Sequence, residues 1–308
     1  MPLIEENRLL VLSGPTASGK TALALSLARV FPLEIVNADS VQVYRGLDVG
    51  TAKPTPAERR EVPHHLIDVA DPDEEYNAGR FVAGAEEAIR GIRERGRFPL
   101  VSGGTGMYIR ALLRGLDELP SDPSVRAALS LRWEEAGGAV LFDELRRVDP
   151  PSAAAIHPSD RVRVLRALEV AAVTGTPPSR LKGRWAEPAR KFRILFIFLS
   201  PDREVLYRRI DARVDRMFRD GLVDEVRGLL ANGYGPELKP MKSLGYRQVL
   251  SHLSGAFSLP RTIAETKRDT RRYAKRQLTW LSRETEAVRI GTENATQTAA
   301  ALAKKFLF

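Results

Sequence analysis

The sequence predicts an α/β fold, a parallel sheet flanked by helices, with an inserted all-helical domain. Three observations carry this. Short apolar runs that end in glycine or small polar residues alternate with longer helical stretches, the order of elements in a parallel sheet. The stretch from 119 to 188 contains no convincing strand and is broken repeatedly by proline and glycine, so it reads as helices. A further apolar run follows it, which makes that stretch an insertion and not a terminal domain. The expected core is therefore 1–118 with 189–308, and the expected insertion is 119–188.

Taken in order, "RLLVLSG" is a short apolar run ended by glycine and predicts a buried strand. "KTALALSLARVF" predicts the helix after it. "LEIVNADS" predicts a second strand ending in Asn37, Asp39 and Ser40, and "FPLVSGGTG" a third. "FRILFIFLSPDREVLYRRIDARV" predicts a fourth strand entering a long helix. Near the end, 263–284 predicts a helix with Thr270, Ala274, Leu278 and Leu281 on one face. Arg268, Arg271, Arg272 and Lys275 lie on the other, with Arg276 at its edge. Tyr273 and Trp280 flank the apolar side and read as core. "TENATQTAAALAKKFLF" predicts a plain helical tail. In open parallel sheets ligands gather beyond the carboxyl ends of the strands, which is where Lys20, Asp39 and Thr105 fall.

Charged residues make up 28% and hydrophobic residues 43%, a globular balance, and no apolar run is long enough to span a bilayer. "MPLIEENRLLVL" is acidic before it is apolar and lacks the basic start of a secretion signal, so a cytoplasmic location is expected. The absence of cysteine excludes disulfides, thiolate catalysis and cysteine zinc sites. The four histidines show no metal-ligand spacing, and His64, His65 and Asp68 read as structural hydrogen-bonding groups. The net charge of +9 suits either a polyanionic partner or a solvated basic surface, and composition does not choose between them.

Gly14-Pro15-Thr16-Ala17-Ser18-Gly19-Lys20-Thr21 fits the P-loop pattern G-x-x-x-x-G-K-[ST]. It makes the expected core P-loop NTPase-like. Such a loop aims backbone N–H groups at phosphate oxygens, and the helix N-terminus adds about half a positive charge. Lys20 supplies a cation, and the Thr21 hydroxyl is a ligand for Mg²⁺. The loop alone serves both kinases and enzymes that release diphosphate. Asp39 has three roles open to it: general base, carboxylate near the magnesium, or helix N-cap.

Four motifs in order carry a resemblance: residues 14–21, Asp39-Ser40-Val41-Gln42-Val43-Tyr44-Arg45, His64-His65-Leu66-Ile67-Asp68 and Gly103-Gly104-Thr105-Gly106-Met107-Tyr108. Followed by "DRVRVLRALEV", "GLVDEV", "SLGYRQ" and "RRYAKRQLTWL", they resemble the tRNA dimethylallyltransferases over nearly the whole chain. Met107 and Leu244 stand where leucine and isoleucine are common in that family, both apolar exchanges.

The resemblance implies a monomeric enzyme using dimethylallyl diphosphate, Mg²⁺ and the anticodon stem-loop of tRNA. The dimethylallyl group would go to the exocyclic N6 amine of the adenine 3′-adjacent to the anticodon, in tRNAs reading codons that start with U. Lys20 and residues 14–21 would hold the diphosphate. Asp39 would act as the base, and Thr105 would hydrogen-bond the adenine or Asp39 and so fix that geometry. Arg213 and Arg216 lie on the helix after the fourth strand and are candidates for reaching the diphosphate from the opposite side. The implied tRNA contacts are Asp39, Ser40, Val41, Gln42, Thr105, Arg126, Val162, Arg163, Val164, Leu165, Arg166, Gly245, Tyr246, Arg247, Lys275, Arg276 and Gln277. Extruding a base from a stacked loop into a pocket is the general solution for such chemistry.

Other readings have their own signatures. A prenyltransferase for free adenine nucleotides would prefer AMP and has no need of the basic helix or the arginine-bearing insertion. A small-molecule kinase would turn over ATP without a prenyl donor. A non-catalytic RNA-binding protein would be indifferent to loss of Asp39.

Overall fold

The structure is a computed structural model that describes residues 7–116, 119–181 and 192–308. The first six residues read above for a secretion start, and the expected boundary at 188/189, lie outside the described residues. So does Glu118 at the first boundary. The described residues divide into two compact units, one running up to 113 and resuming at 192, the other covering 114–181.

The first unit opens with β1 (Arg8–Ser13), α1 (Lys20–Val30), β2 (Leu33–Asn37), α2 (Pro56–Glu61), β3 (His64–His65), α3 (Ala78–Glu94), β4 (Phe98–Gly103) and α4 (Gly106–Arg114). The second unit holds α5 (Pro123–Ala136), α6 (Gly138–Val148), α7 (Pro150–Ala155), α8 (Arg161–Thr174) and α9 (Pro178–Leu181). The first unit resumes with β5 (Arg193–Leu199), α10 (Arg203–Arg219), α11 (Leu222–Ala231), α12 (Tyr246–Leu253), α13 (Leu259–Leu281), β6 (Val288–Ile290) and α14 (Ala295–Leu307).

Six parallel strands lie in the order β3-β2-β4-β1-β5-β6. Central β1 pairs Leu10 with Leu100 of β4 on one side and with Leu195 of β5 on the other. It is buried on both faces, which is why its sequence is continuously apolar instead of alternating. Leu9 and Val11 enter one core with Phe81, Ile89, Tyr108, Leu222 and Tyr246. Leu10 and Leu12 enter the other with Leu23, Leu27, Ala299 and Leu307. Each such fully buried side chain stabilises by about 1.5–3 kcal/mol, so β1 fixes the sheet's middle. Among the described residues no helix is long and apolar enough to cross a membrane.

Two edge strands are absent from the sequence reading. β3 is the pair His64–His65 and β6 is Val288–Ile290. Neither is long enough to show a period. Each is held by its sheet neighbour, β3 by Ile35 and Val36 and β6 by Ile197 to Leu199. As read, His64 and His65 are hydrogen-bonded groups: His64 Nδ1 meets the Val62 carbonyl and His65 Nε2 meets Glu34. Asp68 accepts from Lys53 and Arg59.

In the helical unit, Leu129, Leu141, Phe142, Leu145, Val164, Leu165 and Leu168 make the core. At its edge the Glu169 carboxylate is fully buried. It accepts from the Asp122 N–H at 3.0 Å, from Arg126 at 3.1 and 3.2 Å, and pairs with Arg166 at 3.0 Å. Burial pushes its carboxyl up, but the hydrogen bonds from the two arginines outweigh this and hold it below the usual range.

The end of β4 sets the ligand edge of the sheet. A Cβ on Gly103 would stand 2.1 Å from the Ala38 carbonyl oxygen, so only glycine lets the two strand ends close on each other. Backbone must then move for any other residue. Gly103→Ala is expected to lower stability by about 2–3 kcal/mol, read as an earlier urea midpoint.

Candidate active site

The P-loop leaves β1 and returns as α1. Ala17 and Gly19 take left-handed backbone, φ 62° and 97°, the conformation from which anion nests are built; within the loop the Ser18 N–H donates to the Pro15 carbonyl at 3.2 Å. Gly19 caps α1 without a side-chain hydrogen bond, leaving the helix's first donors for a ligand. Ser18 is 2% exposed, and its Oγ has no hydrogen-bond partner. A buried hydroxyl without a partner is destabilising, and a phosphate oxygen in the cradle would supply one.

Lys20 Nζ donates to the Pro15 carbonyl at 2.8 Å. Burial lowers its pKa to about 7, Arg213 pushes the same way, and Asp39 opposes both. Arg213 is likewise held below its usual value by burial, against Asp39. Two cations are thus kept close with little compensation, and a bound polyanion would restore full charge on Lys20.

Asp39 lies two residues past the end of β2. Its Oδ1 accepts from the N–H groups of Val41 at 2.9 Å and Gln42 at 3.2 Å, the self-closing turn that aspartate favours. This resembles an N-cap locally, but the turn carries the side chain to the junction of two cavities. The smaller, about 90 Å³, is lined by Thr16, Lys20, Thr21, Asn37 and Ser102. The larger, about 290 Å³, is lined by Val41, Thr51, Met217, Leu244, Arg247 and Arg276 among others. Thr16, Asp39, Arg213 and Tyr273 line both.

Thr105 stands apart from the expectation. Its Oγ1 accepts from the Ser40 N–H at 3.0 Å and donates to Ser40 Oγ at 3.4 Å, and its own N–H donates to the Ala38 carbonyl at 3.1 Å. It therefore braces the turn behind Asp39, makes no hydrogen bond to Asp39 and lines neither cavity. Gln277 is 7% exposed. Its amide accepts from Thr16 N–H at 2.8 Å and donates to the Gly104 carbonyl at 2.9 Å, tying the P-loop to the 103–105 loop. Its side chain is engaged there and not offered outward to an RNA.

The other residues separate by burial. Of residues 14–21, Thr16, Lys20 and Thr21 line the smaller cavity, and Gly14, Pro15, Ala17, Ser18 and Gly19 complete the loop between β1 and α1. Ser40, Val41, Gly245, Arg247 and Arg276 line the larger cavity, and Gln42 the smaller. Lys275 is exposed. Arg216 corrects its expectation. It is exposed and lines neither cavity; it shares a side of α10 with Arg209 but lies seven residues, about 10 Å, further along the axis. Arg209, nearer the start of α10, is the one that reaches the P-loop and donates to the Ser18 carbonyl at 3.3 Å.

Tyr246 is fully buried, with its hydroxyl on Glu225. Val164 and Leu165 are core side chains. None of these three side chains is available to an RNA. In the helical unit Val162, 78% exposed, and Arg163 face outward. Arg126 and Arg166 are turned onto Glu169 with their outer edges still half exposed.

Sequence reasoning missed Arg209, Tyr273 and the Thr51 carbonyl. The spacing of four from Arg213 was the available signal for Arg209. Tyr273, read as core, borders both cavities, and Arg276 lies over its ring at 5.7 Å. Nothing in the order of residues marks a backbone carbonyl as a ligand. On α13 the cationic face is also less free than its composition suggests: Arg271 pairs with Asp211, Lys267 with Asp215 and Arg268 with Glu265.

A P-loop at a helix N-terminus, with a carboxylate at the next strand's end and a second, partly apolar cavity beyond it, is the architecture of a P-loop-like α/β enzyme. Residues 42–284 match the IPP transferase family model and residues 7–69 the isopentenyl transferase model. The tRNA dimethylallyltransferase of Syntrophobacter fumaroxidans is 53% identical over 90% of this chain and 81% of that protein. The tRNA dimethylallyltransferase 1 of Pelobacter propionicus is 51% identical over 91% of each. Among solved structures, the tRNA isopentenylpyrophosphate transferase of Bacillus halodurans is 36% identical, covers 98% and 97% of the two chains, and has a TM-score of 0.72. A eukaryotic dimethylallyltransferase acting on tRNA is 31% identical over 97% and 79%, with a TM-score of 0.83. The chain belongs to the IPP transferase family, that of the tRNA dimethylallyltransferases.

Removing the Gln277 bridge leaves the Thr16 N–H and the Gly104 carbonyl without their partner. Gln277→Ala is expected to lower stability by about 1–3 kcal/mol, measured by chemical denaturation.

Proposed function

We propose that this chain transfers a dimethylallyl group from dimethylallyl diphosphate to the N6 amine of the adenine 3′-adjacent to the anticodon, in tRNAs that read codons starting with U. It acts as a monomer in the cytoplasm. The observation that carries this reading is the position of Asp39 at the junction of the phosphate cradle and the larger cavity.

The amine nitrogen's lone pair attacks the first carbon of the allyl group. The carbon–oxygen bond to the diphosphate breaks, and the leaving oxygen keeps that electron pair. The amine proton passes to Asp39. Residues 14–21, Lys20 and Arg213 face the oxygens where negative charge grows, and donors placed for developing charge are commonly the largest catalytic contribution. Asp39 also aims the amine, whose lone pair is delocalised into the ring, so orientation matters as much as basicity. Thr105 acts through Ser40 on the turn that carries Asp39.

Mg²⁺ suits the same residues. Thr21 and Asp39 both line the smaller cavity, which also holds the polar side chains of Asn37 and Ser102; these are hard oxygen donors of the kind the ion takes. When bound, the ion neutralises diphosphate charge.

Arg247, Arg276 and Lys275 in the first unit and Arg163 in the helical unit are proposed to meet RNA phosphates. Arg126 and Arg166 would do so only with their exposed edges.

Two outcomes test the reading. Asp39→Ala is expected to cut transfer to an anticodon stem-loop by about 10²-fold or more, with stem-loop affinity little changed. Near-normal transfer would remove Asp39 as the base, and faster reaction with AMP than with the stem-loop would remove tRNA as the substrate. Stem-loop binding is expected to weaken steeply as salt is added, measured by fluorescence anisotropy.

A further inference from the structure

We infer that Glu225 is a positioning residue for donor binding, because its carboxylate fixes the 48–51 loop whose Thr51 carbonyl holds Arg213 in the wall of the cradle. This rests on reading residues 14–21 as the diphosphate site.

Glu225 projects from α11 into a loop far from it in sequence. Its Oε2 accepts from the N–H groups of Asp48 at 2.9 Å and Val49 at 2.6 Å. Its Oε1 accepts from the Gly50 N–H at 3.0 Å and the Tyr246 hydroxyl at 2.6 Å. Three consecutive backbone donors on one carboxylate form an anion nest inside the protein. Tyr246 completes it from α12, and its buried ring lies against the loop. A Cβ on Gly50 would stand 2.5 Å from that ring, so the loop is held from two sides.

The far end of the clamped loop faces the chemistry. The Thr51 carbonyl accepts from Arg213 Nη2 at 2.9 Å and from Gln42 Nε2 at 3.0 Å. Arg213 borders both cavities, and the Gln42 backbone N–H donates to Asp39 Oδ1. One carbonyl therefore sets the guanidinium on the donor side and the turn on the acceptor side. An uncharged side chain of the same shape would fill the space but could not accept from all four donors. Glutamine must turn its NH₂ toward one pair or the other, donor against donor.

The test uses the whole chain and inorganic pyrophosphate as probe. Glu225→Gln is expected to weaken pyrophosphate binding by about tenfold, which is ~1.4 kcal/mol, measured by titration calorimetry. The KM for dimethylallyl diphosphate should rise by a similar factor, while stem-loop affinity stays within about twofold. Tyr246→Phe removes one of the four donors and should shift the same quantities in the same direction by less. Unchanged pyrophosphate affinity in both variants would overturn the inference. So would stem-loop affinity falling by the same factor, which would mark general disruption. If Glu225→Gln does not fold, Tyr246→Phe decides: weaker pyrophosphate binding supports the role and unchanged binding ends it. A wild-type chain that fails to bind pyrophosphate would overturn both the inference and the site reading beneath it, whereas wild-type binding with unaltered variants overturns the inference alone.

Discussion

Gly103 and the Ala38 carbonyl approach more closely than any side chain would allow, and the position of the acid follows from that approach. With β4 and β2 closed together at their ends, the Thr105 N–H reaches Ala38 and its hydroxyl reaches Ser40. The turn after β2 is then pinned from behind, and Asp39 closes it from within by accepting from Val41 and Gln42. The side chain is left at the boundary between two cavities with little freedom to leave it. Orientation of this kind removes rotational freedom before a reaction begins.

The electrostatics of the site oppose this order unless an anion is bound. Lys20 and Arg213 are crowded together, each pushed below its usual pKa chiefly by burial, with Asp39 as the opposing charge. Beside them Ser18 Oγ lacks a partner. A site built this way would gain on binding a diphosphate in three respects: the cations would acquire a counter-charge, the hydroxyl an acceptor, and the N-terminal donors of α1 a partner. The protein supports the strained arrangement from outside. Gln277 joins the two loops, Arg209 holds the Ser18 carbonyl, and Glu225 holds the loop under Arg213.

The net charge of +9 has a more specific distribution than composition implied. On α13 and in the helical unit, several arginines are turned onto acids of the same protein, as with Arg271 on Asp211 and Arg126 and Arg166 on Glu169. Exposed pairs such as the first contribute little to stability. The buried Glu169 differs, because losing either arginine would leave part of its charge uncompensated. What remains for a polyanion is a smaller set, with Arg276 bordering the larger cavity and Lys275 exposed nearby.

The order of residues by itself determined the four longer strands, the P-loop with its helix, and the presence of Lys20, Asp39 and Thr105 at one edge of the sheet. These are local or periodic features, written in apolar runs and in glycine spacing. It also carried the resemblance that the relatives bear out. Tertiary structure alone decided the rest: the short edge strands β3 and β6, the choice of Arg209 over Arg216, the turn of Arg126 and Arg166 onto Glu169, and the place of Tyr273 beside both cavities. It also gave Gln277 and Glu225 their partners, which are backbone groups more than a hundred residues away. Main-chain N–H and C=O groups are the same at every residue, so no sequence pattern marks which of them a distant side chain will find. Only the packing of the sheet and its helices brings a given carbonyl or amide within 3 Å of its partner.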